Sequence, residues 1–150
     1  MERLRAVQNE LIRISQAWAS GDKNALARAG DLREEAVLLN HAHYLTDIPA
    51  YRKLVAEENC SEDTDIETIK KKLMFSTGIF KSYEQSWLDD DEFGRMNEWL
   101  STIYHKRIHR DVNGIRTIDD WLELLGKAGT HVVYSSGTSG SFSFVPRDVK

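Results

Sequence analysis

The run Ser135-Ser136-Gly137-Thr138-Ser139-Gly140 places four hydroxyl side chains and two glycines in six consecutive residues. Glycine adopts positive φ without steric cost, so the backbone at Gly137 and Gly140 is free to turn tightly and approach a ligand. Successive N–H groups in such a turn converge on an anion. Hydroxyl donors rotate toward phosphate oxygens. These features suit a triphosphate, with a bound Mg²⁺ sharing the charge. A plain β-hairpin turn has the same composition, and composition alone favours that simpler reading. The run is not a Walker A loop, because it lacks the Gly-Lys-Ser/Thr ending and the following helix. It is not a dinucleotide fingerprint either.

Other chemistry-bearing residues form weaker patterns. His105 and His109 are four apart on an expected helix, a spacing that can serve one metal. No glutamate follows His105 and no third ligand is evident, so a solvated basic face with Lys106, Arg107 and Arg110 is the better reading. No metal site is assigned, and no catalytic residue. His41 and His43 read as structural. His131 precedes the run by four positions, and even separations along a strand share a face. Lys81 is either an anion contact or a surface lysine after a buried phenylalanine. Lys70-Lys71-Lys72 is too short for a nucleic-acid arm. Asp89-Asp90-Asp91-Glu92 reads as a helix N-terminus. Trp18, Trp87, Trp99 and Trp121 all read as core.

The elements that must position the run are legible from periodicity. Leu4, Val7, Leu11, Ile14 and Trp18 recur at spacings of three and four, one face of an amphipathic helix. A second helix is expected over about 24–44, carrying Leu26, Leu32, Ala36, Leu39 and Tyr44. Asp47 suits an N-cap and Pro49 a first turn. Residues 59–64 read as loop, and Ile66, Ile69, Leu73 and Met74 as a short helix. Asp89 with Glu92 resembles a capping box opening a helix with Phe93, Met96, Trp99, Leu100, Ile103 and Tyr104. Thr117 with Asp120 opens another, through Trp121, Leu122, Leu124 and Leu125, with Gly126 as its end. Thr130-His131-Val132-Val133-Tyr134 is β-branched and aromatic, and predicts a buried strand. Phe142, Phe144 and Val145 predict a returning strand that Pro146 ends or holds at an edge.

The fold class is therefore α+β. A mostly helical segment, 1–125, is expected to pack beside the first strands of an incomplete sheet. Residues 126–150 supply a strand, the loop and a second strand, all within one domain. The 150 residues are enough for a sizeable core, with 41% hydrophobic and 29% charged residues. A net charge of −4 gives no reason to expect nucleic acid or an anionic membrane as partner. No apolar run approaches a membrane span of about 20 residues. Met1-Glu2-Arg3-Leu4-Arg5 lacks a signal peptide's apolar core. The single cysteine, Cys60, points to a reducing, cytoplasmic setting.

Tyr134-Ser135-Ser136-Gly137-Thr138-Ser139-Gly140 resembles the phosphate loop of the adenylate-forming superfamily, with the nearest likeness to bacterial acyl-protein synthetases and to phenylacetate–CoA ligases. Ile48-Pro49-Ala50-Tyr51-Arg52-Lys53 resembles a helix near the start of the latter. Ile79-Phe80-Lys81-Ser82-Tyr83 resembles a segment upstream of the loop in the former, and Ser143 and Asp148 resemble positions after it. The likeness covers about residues 40–150. It departs where Ser141-Phe142-Ser143-Phe144 replaces the lysine that often follows the loop. The acidic metal-binding residue, the catalytic lysine and the acyl-accepting cysteine lie downstream in the family, and Cys60 does not match the last. The resemblance implies binding of ATP and Mg²⁺ at Ser135, Ser136, Gly137, Thr138, Ser139 and Gly140. It also implies a carboxylic-acid substrate and a thiol acceptor, either coenzyme A or a protein cysteine. Residues 1–150 alone are expected to be inactive. Two other readings stand beside it: a non-catalytic nucleotide-binding module, and a helical interaction protein whose Ser/Gly end is a tail.

Overall fold

A computed structural model describes residues 2–136 and 140–148. The chain divides into two compact units, Met1–Thr46 with Tyr51–Met74, and Asp47–Ala50 with Phe75–Lys150. The described residues form seven α-helices, two short 3₁₀ segments and one two-stranded antiparallel sheet, an α+β protein. No helix among them is long and apolar enough to cross a membrane.

In the first unit, helix α1 (Glu2–Ala19) buries Leu4, Val7 and Ile14, as their spacing requires. Trp18 departs from the core reading and is 54% exposed. The packing partner at this end of α1 is the 3₁₀ turn Ala25–Ala29, whose buried alanines cover Ile14 and leave Trp18 in solvent. That turn also corrects the single helix expected from residue 24. Asp22 draws the chain into a tighter turn, its carboxylate accepting from Asn24 N–H and from Arg28. Helix α2 (Gly30–Asp47) then starts at a glycine, a poor residue for a helix interior.

Asp47 closes α2 rather than capping the next helix, while Pro49 occupies the first position of α3 (Pro49–Glu57), where its missing N–H costs nothing. Helix α4 (Ile66–Lys72) is capped by Asp65, which accepts from the Thr68 amide at 3.0 Å and the Thr68 hydroxyl at 2.7 Å. Lys70 pairs with Glu67 and Glu34. His41 is buried with both ring nitrogens engaged. A carbonyl only accepts, so Nε2–H donates to the Ser61 carbonyl, and in the neutral ring Nδ1 accepts from the Tyr51 hydroxyl, each at 2.9 Å.

The second unit holds α5 (Gln85–Asp89), α6 (Phe93–Ile103), α7 (Ile118–Lys127), β1 (Thr130–Ser136) and β2 (Phe142–Asp148). Its core gathers Phe93, Met96, Leu100, Trp121, Leu125, Val132 and Phe144. Trp99 and Trp121 are core, and Trp87 is half-buried with the Arg95 guanidinium 5.9 Å from its ring. Trp121 Nε1–H donates to Asn97 Oδ1 at 2.9 Å, which satisfies two buried polar groups at once.

Two local expectations change here. Asp89 does not form a capping box: it ends α5, its carboxylate accepts from Gln85, and Glu92 precedes α6 without a side-chain cap. Gly126 does not end α7. The helix runs to Lys127, and Gly129, at φ +84°, supplies the left-handed residue that stops it. Of the two expectations for Pro146 the edge placement holds: β2 lies at the edge of a two-stranded sheet and continues to Asp148, with Pro146 opposite Val132. The Thr117 cap holds as expected, its hydroxyl accepting from the Asp120 amide at 3.1 Å. Thr117→Ala is expected to cost about 1 kcal/mol, with Thr117→Ser near neutral. Urea unfolding measures both, and equal stability of wild type and the alanine variant would show that the cap contributes nothing.

Candidate functional site

Ser135 and Ser136, the first residues of the Ser/Gly/Thr run, lie in a hairpin that α6 and α7 anchor. The Ala128-Gly129 turn feeds α7 into β1, whose alternation places Thr130 and Val132 inward and His131 and Val133 in solvent. The strand is thus half-buried, not buried: Val133 and Tyr134 are 41% and 46% exposed. Its partner β2 sends Phe144, fully buried, among Tyr83, Trp99 and Trp121, with ring centroids at 5.6, 6.5 and 5.4 Å. Residues 142–148 are therefore tied into a core, which gives the trailing-tail reading no support.

The register reassigns part of the run. Ser135 pairs with Ser143 and Ser136 with Phe142, so the first two residues belong to β1 rather than to a loop. Both are exposed, as is Gly140, which lies at φ +78° in the region that glycine tolerates. Gly137, Thr138 and Ser139 lie outside the described residues. Ser135 and His131 share a strand face, as their even separation requires, and both are exposed.

A second segment reaches the same hairpin. The Tyr83 hydroxyl donates to the Phe142 carbonyl at 3.0 Å, at the loop end of β2. Ser82 Oγ accepts from Trp99 Nε1 and donates to the Ile79 carbonyl. The 3₁₀ turn Thr77–Lys81 lies against β2, with Ile79 and Phe80 packed on the core. Residues 79–83, noted for their sequence alone, are thus held beside the strand that leaves the loop. Lys81, in that turn, is half-buried.

The densest polar cluster lies at the other end of the hairpin. Asp148 accepts from the Tyr104 hydroxyl at 2.7 Å, from His105 Nε2–H at 2.9 Å, and from Lys106. Asp148 is paired with Thr130, six residue steps from the Ser136–Phe142 pair. At about 3.3 Å per step the cluster lies roughly 20 Å from that pair. The Lys106 and Tyr104 contacts hold the Asp148 carboxyl down to about 2. Burial, then Asp148 itself, pushes the Tyr104 hydroxyl up. His105 and Lys106 follow the end of α6, so the helical His105–His109 pair does not form. Among the described residues no three His, Cys, Asp or Glu side chains converge as a metal site.

A depressed carboxylate pKa contributes stability above the unfolded value near 4, lost as pH falls through the folded value of about 2. The Asp148 side chain is 39% exposed, so solvent screening reduces the contribution to about 1 kcal/mol. Asp148→Asn is expected to lose that amount at pH 7 and to unfold with a shallower acid dependence between pH 4 and 2. Urea midpoints across that window test this; parallel pH profiles for the two proteins would refute it.

Sequence reading did not single out Tyr83 as the tie to β2, or Tyr104 and His105 as partners of Asp148. The adjacent Tyr104-His105-Lys106 is the only local signal, and their partner lies more than 40 residues away. Comparison with protein-family models, curated proteins and solved structures finds no match to the chain.

Proposed function

We propose that the chain supplies the triphosphate-binding hairpin of an ATP-dependent, AMP-forming carboxylic-acid ligase of the adenylate-forming type. The observation that carries this reading is the placement of Ser135 and Ser136, exposed at the end of β1, and of exposed Gly140 just before β2 in a core-anchored hairpin, with residues 79–83 held against its returning strand by Tyr83. Exposed hydroxyls and a left-handed glycine fit phosphate oxygens, and Mg²⁺ enters as the nucleotide's own counter-ion.

In the reaction this reading implies, a carboxylate attacks the α-phosphate of Mg-ATP, forming an acyl-adenylate and releasing pyrophosphate. A thiol, of coenzyme A or of a protein cysteine, then displaces AMP. The hairpin's part is to hold the β- and γ-phosphates and stabilise the charge growing on the leaving pyrophosphate. The described residues carry no assigned acid, base or nucleophile for either step, so residues 1–150 are expected to bind without turnover. A cytoplasmic setting accompanies this reading, since the one cysteine has no second in the chain to pair with.

Calorimetric titration of the chain with Mg-ATP tests the proposal. Saturable binding, weakened by changing Thr138 and Ser139 to alanine, supports it. No heat of binding at millimolar nucleotide sinks it.

A further inference from the structure

The two edges of the hairpin are built differently. The outer edge of β2 is protected. Its Phe142 carbonyl accepts from Tyr83, the 3₁₀ turn Thr77–Lys81 lies against it, Pro146 lacks an N–H to offer, and Asp148 is held by Tyr104, His105 and Lys106. Such coverage and proline are the devices by which proteins blunt an edge strand. β1 has no proline, and α7 packs against it on the core face that carries Val132. Among the described residues its backbone groups bond only to β2. From His131 to Ser136 every residue except Val132 is exposed, including Val133 and Tyr134.

The sequence of β1, Thr130-His131-Val132-Val133-Tyr134-Ser135-Ser136, contains no lysine, arginine, aspartate or glutamate. From this we infer that the outer edge of β1 pairs antiparallel with β1 of a second copy of this chain, making one four-stranded sheet across a two-fold axis. An isologous contact requires a strand compatible with itself. Pairing centred on Val133 sets Val133 against Val133, Val132 against Tyr134, His131 against Ser135 and Thr130 against Ser136. No like charges meet, and His131 faces a serine rather than its own copy. β2 would set the charges of Arg147 and Asp148 and the missing donor of Pro146 into any such pairing. Two strands become four, and the apolar side chains at the centre of β1 gain cross-strand partners.

Size-exclusion chromatography with light scattering, over a concentration series, tests it on the full chain. The expected mass rises to twice the 17.2 kDa of one chain. Val133→Lys and Val133→Glu each place like charges opposite one another across the axis, and each is expected to run as a monomer with an unchanged far-ultraviolet spectrum. Mixing the two variants is expected to restore the dimer, because lysine then meets glutamate. Hydrogen exchange gives a second readout without substitution: β1 amides become more protected as concentration rises, and β2 amides do not. A wild-type chain that stays monomeric throughout the series overturns the inference. So does a dimer that both variants leave intact, or concentration-dependent protection outside β1.

Discussion

Truncating Phe144 to alanine is expected to destabilise the second unit by about 3–5 kcal/mol, the largest single-residue effect predicted for this chain. The side chain is fully buried and stands between the hairpin and the helices. Its ring lies within 5.6 Å of Tyr83 and 5.4 Å of Trp121, and it stacks on Phe142 at 6.1 Å. Removing it leaves a cavity lined by rigid aromatic groups that cannot collapse cheaply. Aromatic pairs add about 0.5–1.5 kcal/mol beyond burial. Against a typical total stability of about 5–15 kcal/mol, such a loss undocks the hairpin or unfolds the unit. Guanidinium unfolding followed by tryptophan fluorescence and near-ultraviolet circular dichroism measures it. Trp18→Ala serves as the control, since a side chain 54% exposed is expected to cost less than about 0.5 kcal/mol. A Phe144→Ala loss below about 1 kcal/mol would mean that β2 is not packed as described.

Mg-ATP at a hundredfold its dissociation constant is expected to stabilise the chain by about 2.7 kcal/mol, a rise of roughly 5–10 °C in melting temperature. The expectation rests on the nucleotide reading of the hairpin. ADP should stabilise less and AMP little, because the run addresses the β- and γ-phosphates. Thr138→Ala with Ser139→Ala removes two hydroxyl donors to a charged acceptor. At about 1.5–3 kcal/mol for each such bond, affinity should fall at least tenfold. Differential scanning fluorimetry reads all of these. Wild type without a shift removes the nucleotide reading altogether. A shift that the double variant retains leaves the reading and removes only the assignment of Thr138 and Ser139.

The candidate site divides along the same line as its tests. That a strand precedes the Ser/Gly/Thr run and another follows it was legible, because β-branched and aromatic residues bounded by glycine act over a few residues. That Ser135 and Ser136 belong to the strand was not legible. Their place depends on the register with Phe142 and Ser143, and register answers to the burial of Phe144 rather than to serine's own preferences. The 79–83 segment was visible as a string, yet its meeting with the loop end of β2 depends on a hydrogen bond between residues 59 apart in sequence.

What the sequence by itself determined is what acts within a turn or two. The apolar stripes of α1, α6 and α7, the Thr117 cap, Pro49 at the start of α3 and the α+β class all follow from side chains and backbone groups close along the chain. Tertiary structure alone decided the break at Ala25–Ala29, the exposure of Trp18, the gathering of Tyr104, His105 and Lys106 on Asp148, and the contrast between the two hairpin edges. The reason is physical. Periodicity states which face of an element is apolar, but which neighbour covers that face, and how far along, depends on the shapes of groups brought together from distant parts of the chain. Trp18 fits its stripe and still meets solvent, because the short turn that α1 packs against there offers only two alanines, Ala25 and Ala29, as buried partners.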